Sequence, residues 1–307
     1  MYDLECALAV VLETVREIGL EQAGIINALG RTLAEQVQAK RVGLGDEPAE
    51  YEIIVPRGTL ITSREMGALA SIGKPGVAVS RKPRVAVVTT GPDVVELVEK
   101  IGQSQVRNSV RYELVGMVLE SGCDLGRLVH VRDYGRDFEN MVSKCSSYDL
   151  TIIAIGPDVS YESCVKSLGS AGTLVFDGVC IEPGSATAFG TVDGKPVFVT
   201  PWDSVLEVFE ALIRPALLTM LGRTLKNSRS EACVIIDECI HVPKDYWHYV
   251  RAITSLKDRC LVTHPIHNHR QWSNFNSIIK IPPDVDDIEE GQMVDVIMLG
   301  PLVDYEQ

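Results

Sequence analysis

Residues 84–91 read RVAVVTTG, an unbroken apolar strand that ends in a glycine turn. A strand with one wet face alternates apolar and polar residues, whereas a parallel strand covered on both faces runs continuously apolar. This stretch is of the second kind, and the chain downstream repeats the theme. A helix over 106–121 carries Leu114, Val115, Val118 and Leu119 as its buried stripe, and the strand RLVHV (127–131) follows it. A helix over 136–145 leads to the strands LTIIAIG (150–156), TLVFDGV (173–179) and PVFVT (196–200), and a long helix over 203–220 closes the series. Alternation of this kind predicts an α/β fold, a doubly wound sheet with right-handed crossovers. Ligands of such sheets bind at the carboxyl ends of the strands. That singles out the loops Thr89–Asp93, Gly156–Glu162, Glu182–Ala186 and Thr200–Ser204.

Upstream, Leu4, Ala7, Leu8, Val11, Leu12, Val15 and Ile18 fall at helical spacing, with Gly19 as a stop. A second helix is expected over 24–37, with Ile26, Leu29, Leu33 and Val37 on one face, and a loop over 42–52. A third begins at Thr62, where Thr62 and Glu65 form a capping box, and closes at Gly73. Downstream of Lys226 the runs EACVIIDE, AITSL, CLVTH, SIIKIP and MVDVIML are short and strand-like. Three domains are therefore expected: a mainly helical one over 1–82, an α/β one over 83–224, and a small β-rich one over 225–307.

Composition narrows the partners. A net charge of −13 repels nucleic acid and anionic membrane in the long-range field. A phosphorylated ligand can still bind through backbone amides, helix N-termini or a few placed cations. No stretch approaches the roughly 18 apolar residues of a membrane span, and no basic region precedes an apolar run at the start. Eight cysteines are scattered without a CxxC pair, several within apolar runs, which suits a reducing cytoplasm rather than a disulfide framework or a zinc knuckle. His264, His267 and His269 cluster near the acidic run from Asp284 to Glu290; they are weak metal candidates, more often exposed or capping.

Several ordered segments resemble the molybdopterin molybdotransferase family, which includes MoeA and the gephyrin E domain. They are ALGRTLAEQVQA (28–39), the run from Val55 to Gly91, RYELVGMVLESGC (111–123), EPGSATAFG (182–190), GKPVFVTPWDSVLEVFEALIRPAL (194–217) and IKIPPDVDDIEEGQMVDVIML (279–299). The resemblance implies a cytoplasmic homodimer of molybdenum cofactor biosynthesis. It also implies a cleft for molybdopterin or its adenylate, with molybdate and Mg2+ engaged if the protein turns over. The ligand-facing positions carried over are Thr90, Gly91, Asp93, Asn108, Ser109, Gly156, Asp158, Ser160, Pro183, Gly184, Pro201, Asp203 and Ser204; none is assigned as catalytic.

The chain departs from the family pattern at the places where charge matters. The family's second domain is absent near 42–57. Its Thr-Gly-Asp-Glu turn reads Thr90-Gly91-Pro92-Asp93, and its Asp-Ser-Asn reads Asn108-Ser109-Val110. In the glycine loop Ile155 replaces a glycine, Pro157 removes a donor amide and Asp158 adds negative charge. Two family lysines are replaced by Glu182 and Ser185, and a glycine by Trp202, which either fills the pocket or stacks on a pterin. At about 4 Å in a shielded site, each such reversal turns a few kcal/mol of attraction into repulsion. Lys166, Lys195 and Arg107 are the possible compensating cations. The expected function is molybdopterin binding with weak or no molybdotransferase turnover. The alternatives are an active transferase that releases AMP, a scaffold that docks a molybdoenzyme or another cofactor-biosynthesis protein, and a cleft adapted to a less anionic ligand.

Overall fold

In a computed structural model of the chain, residues 1–40, 51–132, 136–223, 229–266 and 275–303 are described. The amino-terminal part comprises α1 (Leu4–Thr14), β1 (Leu20–Gly24), β2 (Val37–Lys40), β3 (Tyr51–Val55), α2 (Ser63–Ser71) and β4 (Gly76–Ser80). Its described residues hold two α-helices and four strands, so the expectation of a mainly helical segment is corrected. The helix expected over 24–37 is only one 3-10 turn, Ile25–Ala28. Gly24 belongs to β1, which pairs antiparallel with β4. Gly30 adopts φ +75°, a left-handed conformation that stops the turn. Ile26 and Leu29, expected on one helix face with Leu33 and Val37, are 79% and 58% exposed, while Leu33 bridges to Val79 and is buried. α1 likewise ends at Thr14, before Val15 and Ile18. Of the loop expected over 42–52, Tyr51 and Glu52 lie in β3 and the rest is outside the described residues. The capping box is present: Thr62 caps α2 and the Glu65 carboxylate accepts from the Thr62 amide at 2.9 Å.

The central part contains β5 (Arg84–Thr90), β6 (Val94–Val95), β7 (Val106–Arg107), α3 (Ser109–Glu120), β8 (Asp124–Val131), α4 (Arg136–Val142), β9 (Leu150–Ile155), α5 (Tyr161–Ala171), β10 (Thr173–Asp177), β11 (Ile181–Glu182), β12 (Ala188–Val192) and β13 (Lys195–Pro201). The helical stretch after β13 runs as α6 (Val205–Val208), a π segment (Phe209–Ile213) and α7 (Arg214–Met220). One sheet has the order β10-β12-β13-β9-β5-β8. β13, β9, β5 and β8 are mutually parallel, as the apolar runs predict. Its other edge is an antiparallel hairpin, β12 to β13, closed by Asp193-Gly194 with both residues at positive φ. Helices cover both faces. Val85, Val87, Ile152 and Phe198 pack under α1, α3 and the π segment, and Val88, Ile153, Val197 and Val199 pack under α4 and α5. That two-sided cover is the physical cause of the unbroken apolar strands.

Among its described residues the carboxy-terminal part is all β: β14 (Glu231–Ile236), β15 (Ile240–His241), β16 (Trp247–Lys257), β17 (Cys260–Pro265), β18 (Ser277–Ile281), β19 (Asp287–Ile288) and β20 (Met293–Met298). β16, β17, β14, β20 and β18 pair in that order, and β18 pairs back onto β16, closing a small barrel that leaves no free edge among those five strands. Its interior is filled by Val234, Ile236, Ala252, Ile279, Ile281 and Val296. Cys233, which sits within the apolar run EACVII where a free thiol would pack as a small hydrophobe, is instead exposed on β14. Among the described residues no helix is long and apolar enough to cross a membrane.

Candidate ligand cleft

The carboxyl ends of β5, β9 and β13 bring three loops together. Thr90, the last residue of β5, is buried; its Oγ1 accepts from the Gly156 amide at 3.3 Å and donates toward the Ala154 carbonyl at 3.5 Å. The two loops approach so closely that a Cβ on Gly156 would sit 2.0 Å from the Thr90 carbonyl oxygen. Gly91, at φ +138°, packs against Val94 and the Gly156-Pro157 backbone. From the other side the loop after β11 folds in. A Cβ on Gly184 would lie 2.6 Å from Val208 Cγ2 and 3.5 Å from Ser204 Cβ. Thr187 donates to the Gly184 carbonyl at 2.7 Å, and its hydroxyl is paired with that of Thr200 at 3.1 Å.

The loops after β9 and β13 form a cleft of about 350 Å3 lined by Ile155, Gly156, Pro157, Asp158, Val159, Tyr161, Pro201, Trp202 and Asp203. Of the residues singled out from sequence, Gly156, Asp158, Pro201 and Asp203 line it directly, and Thr90 and Gly91 pack against the loop that forms it. Gly184 and Ser204 lie together beneath the Pro201–Asp203 turn, next to Pro183 in a cis peptide with Glu182. Ser160 caps α5, accepting from the Ser163 amide at 3.2 Å and donating to Glu162 at 2.9 Å. Asp93, Asn108 and Ser109 are not among its lining residues. Asp93 accepts the Val106 amide at 3.0 Å, joining β6 to β7. Ser109 is exposed as the first residue of α3 and does not cap it: the cap position belongs to Asn108, whose side chain is turned elsewhere.

The cleft's chemistry is apolar and acidic. Trp202 is half-buried and packs on the core, so it fills space while one part still lines the cleft. Tyr161 donates to Asp177, and burial followed by that bond pushes its phenol well above the usual range. Among the described residues that line it there is no lysine, arginine or histidine, whereas Asp158 and Asp203 are there and both are exposed. None of the three candidate compensating cations is there. Lys195 begins β13, at the opposite end of the sheet, 3.7 Å from Asp149. Arg107 donates to the Glu96 and Glu99 carbonyls. Lys166 is exposed on α5.

Sequence reading missed two buried clusters. Glu207, one helical turn past Asp203, is 1% exposed and pairs with Arg251 of β16 at 2.7 and 3.3 Å. Glu113 of α3 belongs to the same electrostatic cluster, and burial holds its carboxyl above the usual range against the pull of Arg251. The second cluster surrounds Asn108, which donates to Thr89 Oγ1 at 2.9 Å and to Glu96 Oε1 at 3.0 Å. Burial works to raise the Glu96 carboxyl, but its bonds to Arg111 and Asn108 prevail and hold it below the usual range. Neither cluster has a spacing signature, because each is assembled from separate elements. Of the histidine cluster, His264 lies 3.0 Å from Asp237 and 3.6 Å from Glu238, while His267 and His269 are outside the described residues. Among the described residues no group of three or more His, Cys, Asp or Glu side chains is arranged to hold a metal ion.

No family model matches the chain. It is 28% identical over 185 residues to molybdopterin molybdenumtransferase 1 of Mycobacterium tuberculosis, covering 58% of this chain and 43% of that protein. It is 23% identical over 266 residues to the molybdopterin molybdenumtransferase of Staphylococcus epidermidis, covering 83% of this chain and 63% of the relative. The Bacillus subtilis protein of that name is 23% identical over 270 residues, with 83% and 61% covered. The chain thus spans about half the length of the curated relatives it matches. Among solved structures, a molybdopterin biosynthesis MoeA protein from Pyrococcus horikosii superposes with a TM-score of 0.82 at 19% identity, covering 98% of this chain and 100% of that one. A molybdenum cofactor biosynthesis protein from Pyrococcus furiosus gives 0.76 at 20% identity, with 97% and 99% covered. These two share the fold.

Proposed function

Because the chain belongs to the MoeA family, we propose that it acts in molybdenum cofactor biosynthesis by holding molybdopterin or its adenylate, with little or no molybdotransferase turnover. One observation carries this reading: among the described residues, the strand-end cleft is lined by aromatic and apolar surface and by two exposed aspartates, and by no cation. A flat heterocycle is served by such a lining, since Trp202 and Tyr161 offer ring surface. Cleavage of an adenylate is not, because charge grows on phosphoryl oxygens and needs donors or cations already aimed at them. Pro157 supplies no amide at the point where a loop would cradle a phosphate, and Asp158 faces solvent beside it. Binding and catalysis therefore part company: the ring is accommodated and the transition state is not.

A second reading, an active transferase that inserts molybdate and releases AMP, has one observation in its favour. Asp158 and Asp203 line the same cleft, and magnesium is often held by one or two carboxylates together with substrate phosphates. A homodimer, or docking onto a molybdoenzyme or another biosynthetic protein, is compatible with either reading.

Calorimetric titration with molybdopterin tests the binding half. Saturable binding is expected, and Trp202→Leu should weaken it roughly tenfold, the value of one lost ring contact. Absence of saturable binding to the wild-type protein would remove the reading.

A further inference from the structure

We propose that the groove around the edge strand β8 is a second ligand site, for a small phosphomonoester carried on a planar or apolar body. It is a cavity of about 930 Å3, distinct in its lining from the strand-end cleft. β8 is the outer strand of the central sheet, and the groove wraps it from the Glu96 loop to the end of α4. This inference does not rest on the pterin reading.

Three observations carry it. The first is charge. In a chain of net charge −13, Arg111, Arg127, Arg132 and Lys144 line this groove against Glu96 and Glu99. Both carboxylates are already paired, Glu96 with Arg111 and Glu99 with Arg132. Arg127 and Lys144 have no acidic partner among the described residues, so two cations are left over to meet an anion. Low-dielectric walls focus such a local excess, whatever the sign of the whole protein.

The second is unmet hydrogen bonding. Arg111, Glu96, Asn108, Thr89 and His130 form one chain of polar contacts, His130 Nδ1 lying 3.1 Å from Thr89 Oγ1. The Asn108 amide is oriented by Glu96, an obligatory acceptor, which leaves its Oδ1 facing no donor. Arg111 Nε and His130 Nε2 are likewise buried without a partner. Buried polar atoms are nearly always satisfied, and an unsatisfied group calls for a water, an ion or a ligand. Arg111 and His130 line the groove, so a ligand bearing several anionic oxygens meets two unpaired donors of one network together. His130 supports the same picture: burial is the largest influence on its ring and holds its pKa below the usual value despite Glu96 nearby. With Thr89 Oγ1 donating to Nδ1, the neutral ring carries its proton on Nε2, which can donate to an anionic oxygen.

The third is the apolar wall. Val88, Val129, Met141 and the Tyr148 ring line the groove beyond the cations. An inorganic ion would leave that surface bare, whereas a planar body covers it. The volume lies in the range of small-molecule sites, roughly 300–1,000 Å3.

The test uses phenyl phosphate and inorganic phosphate as probes, followed by calorimetry on the full chain. Phenyl phosphate is expected to bind saturably, more tightly than inorganic phosphate and in competition with it, and more weakly as salt is raised. The double variant Arg127→Glu, Lys144→Glu changes only solvent-facing ends and should fold; it should weaken binding at least tenfold. His130→Gln should weaken it several-fold with an unchanged melting temperature. Trp202→Leu, at the other cleft, should leave it unaltered. The proposal is overturned if phenyl phosphate does not bind at millimolar concentration, if the double charge reversal leaves its affinity unchanged, or if Trp202→Leu abolishes binding.

Discussion

Arg251→Met is expected to destabilise the fold by about 3–5 kcal/mol, the range for removing one partner of a buried ion pair. Arg251 rises from β16 of the barrel and holds Glu207, whose carboxylate is 1% exposed and bonded at 2.7 Å. Its guanidinium also lies 5.3 Å from the centroid of Phe275. Methionine keeps much of the side-chain volume, so the loss is electrostatic: an uncompensated carboxylate is left inside, beside Glu113, a second acid that burial already disfavours as an anion. Denaturant unfolding measures the loss, and the double variant Arg251→Met, Glu207→Gln should recover most of it, since no buried charge is then stranded. A loss under about 1 kcal/mol would mean that Glu207 finds another partner. The consequence reaches the cleft. Glu207 lies one turn beyond Asp203, and β11, which leads into the Glu182–Ala186 loop, is itself paired with β16 through Ile181↔Trp247 and Glu182↔His248. Through Glu207 the barrel therefore holds the helix that follows the Pro201–Asp203 turn of the cleft, and ligand affinity should fall along with stability in the single variant.

Gly156→Ala is expected to be as damaging for a different reason. The added methyl would lie 2.0 Å from the Thr90 carbonyl oxygen, a backbone atom fixed by the β5–β9 ladder. No rotamer change relieves a clash with backbone, so one of the two loops must move. A cost of about 3 kcal/mol or more, at the top of the usual overpacking range, should appear in denaturant melts together with loss of cleft binding. Gly30→Ala is the control: nothing lies within 4 Å of its Cβ, and only the left-handed φ of +75° is strained, a cost of about 1 kcal/mol. Equal effects at the two positions would show that the β5–β9 contact is not the cause.

The contrast between these two glycines also explains what was legible in the sequence. The run 84–91 disclosed the parallel sheet because burial on both faces is written into consecutive residues. The capping box at Thr62 was legible for the same local reason. The helix expected over 24–37 failed because Ile26, Leu29, Leu33 and Val37 have helical spacing but no helical partner. The pairing of β1 with β4, some 55 residues apart, overrides that local pattern. The β12–β13 hairpin was readable and was missed: Asp193-Gly194 between alternating residues is a strong two-residue turn signal. Within the site, the loops at the strand ends followed from topology alone, and Gly156, Asp158, Pro201 and Asp203 do meet there. Asn108 did not join them, because its amide is recruited by Glu96 and Thr89. Arg251 and Glu207 were invisible, since 44 residues and a domain's width of chain separate two side chains that meet only after the barrel has closed.

What the cleft does with a bound adenylate is the central question, and one measurement addresses it. The purified full chain is incubated with adenylated molybdopterin, magnesium and molybdate, and AMP is followed over time while retained pterin is measured in the same sample. Pterin held at one per chain, with AMP no higher than in a protein-free control, is the expected result. Release of AMP in multiple equivalents, lost in an Asp203→Asn variant that still retains the pterin, would contradict it and make the acidic cleft a catalytic one.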